Sequence, residues 1–229
     1  MRAVDALEML ALDDLLSDEE RAVRDVVRRV VAEHVRPYVA QWFEEGRVPT
    51  RELARRFGEI GLFGMHLTGY GCAGSSMVSY GLACLELEAG DSGVRSLVSV
   101  QGSLAMYAIW RYGSEEQKTA WLPAMAAGER IGCFGLTEPD HGSDPASMAT
   151  RARRDGDDWV LDGTKMWITN APVADVAVIW ARTDEGVRGF LVPMDTPGVT
   201  VREIKHKLSL RASSTGEIVL DEVRLPEQA

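Results

Sequence analysis

Near Gly128 the hydrophobic period of this chain changes from that of helices to that of strands, and it changes once. Upstream, Ser17-Asp-Glu-Glu20 reads as a capping box with acidic residues in the first turn of a helix. Ala22, Val23, Val26, Val27, Val30, Val31, His34 and Val35 then recur at helical spacing, and Pro37 supplies a stop. A second helix is expected from after Thr50 to near Gly61. A third runs from Met77 to Ala89 and is broken by Gly90-Asp-Ser-Gly93. A fourth runs from Val94 to Tyr112. Ser114-Glu-Glu-Gln117 is another capping box and opens a fifth, which ends near Gly128.

Downstream the apolar runs are short. They span Ile131 to Leu136, Trp159 to Leu161, Lys165 to Thr169, Val173 to Ala181, Gly189 to Val192, Val199 to Ile204, Glu217 to Leu220 and Val223 to Leu225. Turn residues such as Asp155-Gly-Asp-Asp158, Asp184-Glu-Gly186 and Thr196-Pro-Gly198 separate them. Frequent short strands without intervening helices predict an antiparallel barrel or sandwich. The expected fold class is α+β: an all-α helical domain over residues 1–129, then an antiparallel β-barrel domain over 130–229.

The chain carries 35 acidic and 25 basic residues, a net charge of -10. Such a balance argues against binding a nucleic-acid backbone, which requires a basic face. It permits a local basic pocket for an anionic ligand. The cysteines Cys72, Cys84 and Cys133 are odd in number and form no C-x-x-C pair, so they read as buried thiols rather than a disulfide or zinc framework. No metal site is expected. The first residues lack the order of a secretory signal, and no apolar run approaches the roughly 20 residues of a membrane span. A cytoplasmic protein is the simplest expectation.

Two segments carry the chemistry. Phe134-Gly-Leu-Thr-Glu-Pro-Asp-His-Gly-Ser-Asp144 runs from an apolar strand into a turn, and Lys165-Met-Trp-Ile-Thr-Asn170 is a strand with Trp and Thr two residues apart. A redox flavin must be held flat, shielded and hydrogen-bonded at its polar edge. Backbone N–H groups around Leu136 and Thr137 suit the pyrimidine edge, where negative charge builds on reduction. Thr169 offers a hydroxyl and Trp167 an aromatic face. Gly142 and Ser143 let backbone and hydroxyl approach a pyrophosphate. Residue chemistry alone leaves a plainer reading open, with Trp167 in a core and the turn as ordinary surface.

Phe134 through Asp144, with Trp167-Ile-Thr169, resembles the FAD-binding signature of the acyl-CoA dehydrogenases. The likeness covers the whole chain, as that family's N-terminal helical and middle β-barrel domains. Glu86-Leu-Glu-Ala-Gly-Asp-Ser-Gly-Val-Arg-Ser96, Tyr112-Gly-Ser-Glu-Glu-Gln117, Gly132-Cys-Phe-Gly-Leu-Thr137 and Lys207-Leu-Ser-Leu-Arg-Ala-Ser213 are similar to the glutaryl-CoA dehydrogenase branch. The resemblance implies FAD contacts at Phe134, Leu136, Thr137, Gly142, Ser143, Trp167, Ile168 and Thr169. It implies a substrate pocket at Glu88, Arg95, Ser96 and Ser143, with Arg95 on the distal carboxylate of the acyl chain. A guanidinium can grip such a carboxylate bidentately. Without the resemblance, Arg95 reads as a solvated charge at a helix start. His141 departs from the small or polar residue expected at its position.

By the same resemblance the reaction is FAD-dependent α,β-dehydrogenation of an acyl-CoA, here glutaryl-CoA decarboxylated to crotonyl-CoA. An electron-transferring flavoprotein is the implied acceptor and a homo-oligomer the implied assembly. The family's base is a Glu in a C-terminal helical bundle, so no catalytic base is assigned here and that bundle is expected to be absent from this chain. Glu138, next to Pro139, reads as a structural turn residue. The competing expectation is a non-catalytic or split-enzyme two-domain module that docks a partner chain.

Overall fold

The structure is a computed structural model and describes residues 11–229; residues 1–10, on which the expectation about a secretory signal rests, lie outside the described residues. Helix α1 spans Asp18–His34, and both halves of its capping box form. Ser17 Oγ accepts the Glu20 N–H at 3.2 Å, and the Glu20 carboxylate accepts the Ser17 N–H at 2.9 Å. Val27, Val31 and Val35 of the apolar stripe are buried, whereas Ala22 and Val26 face solvent. Pro37 sits in a single 3-10 turn, Arg36–Tyr38, that leads straight into α2, Val39–Glu45. This helix was not expected. Proline fits the first turn of a helix as well as the stop of the preceding one.

Helix α3 spans Thr50–Glu59, and a small hairpin follows, β1 Thr68–Gly69 with β2 Cys72–Ala73. Helix α4 is Met77–Gly90, capped by Ser76. A bidentate pair from Arg28 to the buried Glu86, at 3.1 and 2.8 Å, ties α1 to α4. Helix α5, Ser92–Ser99, starts two residues before the expected Val94 because Asp91 caps it, with Oδ1 accepting the Val94 N–H at 3.0 Å. It continues through a π-helical stretch, Val100–Met106, into α6, Tyr107–Tyr112. Helix α7 spans Glu115–Ala126 behind the second capping box.

Seven strands then form one curled, mixed sheet. They are β3 Gly132–Gly135, β4 Arg151–Asp155, β5 Asp158–Thr169, β6 Val176–Thr183, β7 Gly186–Pro193, β8 Val199–Glu203 and β9 Thr215–Leu225. β6 has β7 on one side, and β3 then β4 on the other. The path continues through β5 and β9 to β8. The expected β-barrel is thus an open half-barrel. It is antiparallel except where β6 runs parallel to β3 and, at one bridge, to β4. β4 escapes the hydrophobic pattern because only Ala152 of Arg-Ala-Arg-Arg-Asp is buried. The runs Trp159 to Leu161 and Lys165 to Thr169 belong to one strand, β5, interrupted by irregularities. The last two runs likewise join as β9.

β6 joins the two cores. Val176 and Val178 pack with the helices, around Val31, Phe57, Leu97 and Met106. Ala177, Ile179 and Ala181 point into the half-barrel, with Leu161, Ile218 and Val223. The period of two along a strand places alternate residues in opposite cores. Cys133 is buried and Cys72 and Cys84 are half-buried, all free thiols. Among the described residues no helix is long and apolar enough to cross a membrane, and no cluster of acidic, His and Cys side chains could hold a metal.

Candidate functional site

The two chemically distinctive segments lie side by side. β3 ends at Gly135, where a Cβ would stand 2.6 Å from Ile179 Cδ1 and 3.3 Å from Lys165 Cγ. Only glycine lets the strand press against the Lys165 stem. Beyond it, the Thr137 carbonyl accepts the Met166 N–H at 2.9 Å. The N–H groups of Leu136 and Thr137 themselves make no hydrogen bond among the described residues. Across from them, the pairing of β5 with β9 slips between Lys165 and Ile168. Within the slip Trp167 adopts φ 62°, a left-handed conformation unusual for an aromatic residue. This turns the indole outward, 58% exposed, so Trp167 is not a core residue.

A buried ion pair fixes this arrangement. Lys165 Nζ donates to Glu138 Oε1 at 2.7 Å and to the Leu136 carbonyl at 3.1 Å. The Glu138 carboxylate also accepts the N–H of Ala149 at 2.5 Å and of Thr150 at 3.0 Å. Burial opposes its charge, but Lys165 and these two amides prevail and draw its pKa down to about 2. Burial pulls the Lys165 ammonium below the ordinary lysine range, against the opposing pull of Glu138. Glu138 therefore ties together the ends of the loop from 138 to 150, the structural role its neighbours suggest. Lys165 is the part that sequence reading missed. A lysine in an apolar strand was its only signal.

Inside that loop Glu138 and His141 exchange backbone hydrogen bonds, at 3.0 and 3.3 Å. Gly142 and Ser143 project into solvent, and nothing stands within 4 Å of where a Gly142 Cβ would lie. The hydroxyls of Thr137, Ser143 and Thr169 have no partner among the described residues. Phe134 is half-buried and packs on Trp180, ring centroids 5.9 Å apart. Ile168 differs from the rest: its side chain lies in the half-barrel core, so it offers the site only its backbone. Free amides, free hydroxyls and an outward indole on one face are a donor set that fits a flavin. Two clefts, of about 790 and 560 Å³, lie elsewhere, and Trp180, the neighbour of Phe134, lines the smaller one.

A second cluster lies on α4 and α5. Arg95 Nε donates to Glu88 Oε2 at 2.8 Å, and Nη1 to Ser99 Oγ at 3.2 Å. Ser92 donates to the other Glu88 oxygen. Ser92 and then Arg95 hold the Glu88 carboxyl below the usual glutamate range. Arg95 Nη2 has no partner among the described residues. Ser96 does not touch Arg95; its hydroxyl donates back to the Ser92 carbonyl at 2.9 Å. Ser99, one helical turn past Arg95, is the serine that meets the guanidinium. The i, i+4 spacing was the signal that could have found it.

No hydrogen bond joins this cluster to the flavin-like face among the described residues. The link is covalent and helical. Gln101, fully buried in the π-helical stretch, accepts the Gly132 N–H at 2.7 Å and donates to the carbonyls of Met125 at 3.1 Å and Arg130 at 2.8 Å. It thereby fixes the start of β3, the strand that ends in Leu136-Thr137. Single-turn π segments inside helices are frequent at functional sites.

Comparison with known proteins identifies both halves of the chain. The family description "Acyl-CoA dehydrogenase, N-terminal domain" matches residues 17–129, and "Acyl-CoA dehydrogenase, middle domain" matches residues 133–223. A glutaryl-CoA dehydrogenase from Mycobacterium smegmatis is 69% identical, with a TM-score of 0.95 over 96% of this chain and 57% of its own. A structure of a glutaryl-CoA dehydrogenase from the same organism in complex with FADH2 is 64% identical, with a TM-score of 0.96 over 97% of this chain and 57% of its own. The mitochondrial short-chain specific acyl-CoA dehydrogenase of Bos taurus is 38% identical over 223 residues, 93% of this chain and 53% of its own. The chain spans about half the length of the curated relatives it matches. It belongs to the acyl-CoA dehydrogenase family, a family of FAD enzymes, and carries that family's N-terminal and middle domains.

Proposed function

We propose that this chain holds FAD and the acyl group in an acyl-CoA dehydrogenase that converts glutaryl-CoA to crotonyl-CoA and carbon dioxide. The observation that carries the reading is the hydrogen bond from Met166 N–H to the Thr137 carbonyl at 2.9 Å, which sets the Phe134–Thr137 and Trp167–Thr169 segments on one face. In this reading the amides of Leu136 and Thr137 and the hydroxyl of Thr169 bind the polar edge of the flavin. Trp167 covers an aromatic face, and Phe134, Gly142, Ser143 and the Ile168 backbone complete the cradle. When bound, FAD supplies the two-electron oxidant for α,β-dehydrogenation.

The proposed substrate residues are Arg95, Glu88 and Ser143, with Ser99 taking the part expected of Ser96. Arg95 leaves Nη2 free while Glu88 and Ser99 orient its other nitrogens, which suits a planar grip on a carboxylate. The base that removes the α-proton is assigned to a part of the protein outside these 229 residues. An electron-transferring flavoprotein is the acceptor we propose, with a homo-oligomer as the working assembly.

The full-length gene product should purify yellow, and glutaryl-CoA should bleach its bound flavin under anaerobic conditions. Bleaching by butyryl-CoA but not by glutaryl-CoA would overturn the dicarboxylate assignment. Arg95→Ala should lower kcat/KM for glutaryl-CoA by about a hundredfold, the worth of a charge-assisted hydrogen bond. It should change the value for butyryl-CoA by no more than about threefold. Equal losses for both substrates would remove Arg95 from its proposed role.

A further inference from the structure

Lys165 lies under the peptide that faces the proposed flavin. Its Nζ meets the carbonyl oxygen of Leu136 at 3.1 Å, while Glu138 holds the same ammonium from the other side at 2.7 Å. The carbonyl of Leu136 and the N–H of Thr137 belong to one planar, resonance-coupled amide. A cation on the carbonyl oxygen draws electron density through that amide and makes its N–H a stronger donor. The Thr137 N–H has no acceptor among the described residues. The next carbonyl, that of Thr137, is pinned by the Met166 N–H at 2.9 Å, so the direction of the Thr137 donor is fixed on both flanks. Lys165 is fully buried, so solvent does not dilute its effect.

We propose that Lys165 is a positioning residue that raises the flavin's reduction potential through the Leu136–Thr137 peptide, without touching the cofactor. This rests on the reading that the Thr137 amide faces the pyrimidine edge of FAD. Negative charge develops at that edge on reduction, and a polarised donor stabilises the reduced form more than the oxidised one. Glu138 tempers the same device. It keeps the ammonium in place, and its negative charge offsets part of the pull.

Three full-length holoproteins test the proposal: wild type, Glu138→Gln, and Glu138→Gln with Lys165→Met. Circular dichroism checks their folding, and spectroelectrochemistry reads the midpoint potential of the bound flavin. Glu138→Gln removes the tempering charge together with the partner that favours the Lys165 ammonium, so its potential is read over a pH series: it should move positive on the acid side, where Lys165 carries its proton, and the shift should fade as pH rises and the proton is lost. The double variant is neutral at this place, as the wild-type pair is, so a difference between them is not one of net charge. Its potential should lie below that of wild type. A double variant with the wild-type potential would overturn the proposal. A purely structural pair would give that result, loosening FAD without moving its potential. If the double variant does not fold, Glu138→Gln alone decides, and a potential that is unchanged or lowered relative to wild type at every pH of the series defeats the idea. Failure of the flavin reading looks different: no protein of the set, wild type included, would show a bound flavin spectrum.

Discussion

Lys165 Nζ and Glu138 Oε1 stand 2.7 Å apart with both side chains withdrawn from water, and the pair joins the two segments proposed to hold the flavin. A buried pair of this kind is a weak source of net stability, because desolvation offsets attraction. Its geometry matters more. Glu138 closes the loop onto Ala149 and Thr150, and Lys165 reaches back to Leu136, so one contact sets the spacing of the whole face.

The pair should show in acid. The Glu138 carboxyl is held at about 2 in the fold, against an ordinary value of 4.5. A depressed acid contributes stability that is fully present above its unfolded pKa and is lost as pH falls toward its folded pKa. At 1.36 kcal/mol per unit the loss is about 3 kcal/mol. Urea unfolding at about pH 5 and about pH 2 should show wild type losing about that much more than Glu138→Gln. Parallel losses in the two proteins would show that Glu138 is not the group responsible.

Gln101 makes three buried hydrogen bonds between the π-helical stretch and its neighbours. Gln101→Ala strands the Gly132 N–H and leaves two carbonyls short of a donor. Each stranded buried group costs about 1–3 kcal/mol, so the denaturation midpoint should fall by the equivalent of about 3 kcal/mol. A loss below about 1 kcal/mol would mean that water replaces the amide.

Trp167 is exposed and sits at φ 62°, so its side chain contributes little to the core. Trp167→Gly relieves a left-handed conformation and should change folding stability by less than about 1 kcal/mol. The same exchange removes the proposed cover over the flavin and should weaken FAD binding by about tenfold or more. Fluorescence titration of the apoprotein reads the affinity. A large loss of stability with unchanged FAD affinity would reverse the assignment.

Ser99, rather than Ser96, should matter for the acyl group. Ser99 meets Arg95 Nη1 at 3.2 Å, while the Ser96 hydroxyl is spent on the Ser92 carbonyl. Ser99→Ala should lower kcat/KM for glutaryl-CoA by about fivefold to tenfold, and Ser96→Ala by less than about twofold. The opposite order would restore Ser96 to the pocket.

Much of this was legible in one dimension. Capping boxes at Ser17 and Ser114 act over four residues, so the sequence contains all of their geometry. The switch of period near residue 130 follows equally from local spacing, because burial on one face demands it of helix and strand alike. The two segments proposed to hold the flavin stand out in the sequence because their residue types are themselves the proposed chemistry. Helix α2 and strand β4 could not, since the first hides behind Pro37 and the second shows a single buried residue, Ala152.

Tertiary structure alone decided the contacts between segments distant in sequence. It chose Ser99 over Ser96 as the neighbour of Arg95 and turned Trp167 outward through a slip in strand register. It also placed Lys165 beneath the Leu136 carbonyl. Each of these depends on where two elements come to rest against each other. The sequence by itself determined which elements form and what chemistry they carry. Packing determined which side chains meet, because a hydrogen bond is settled within tenths of an ångström and spacing along a chain fixes nothing across it.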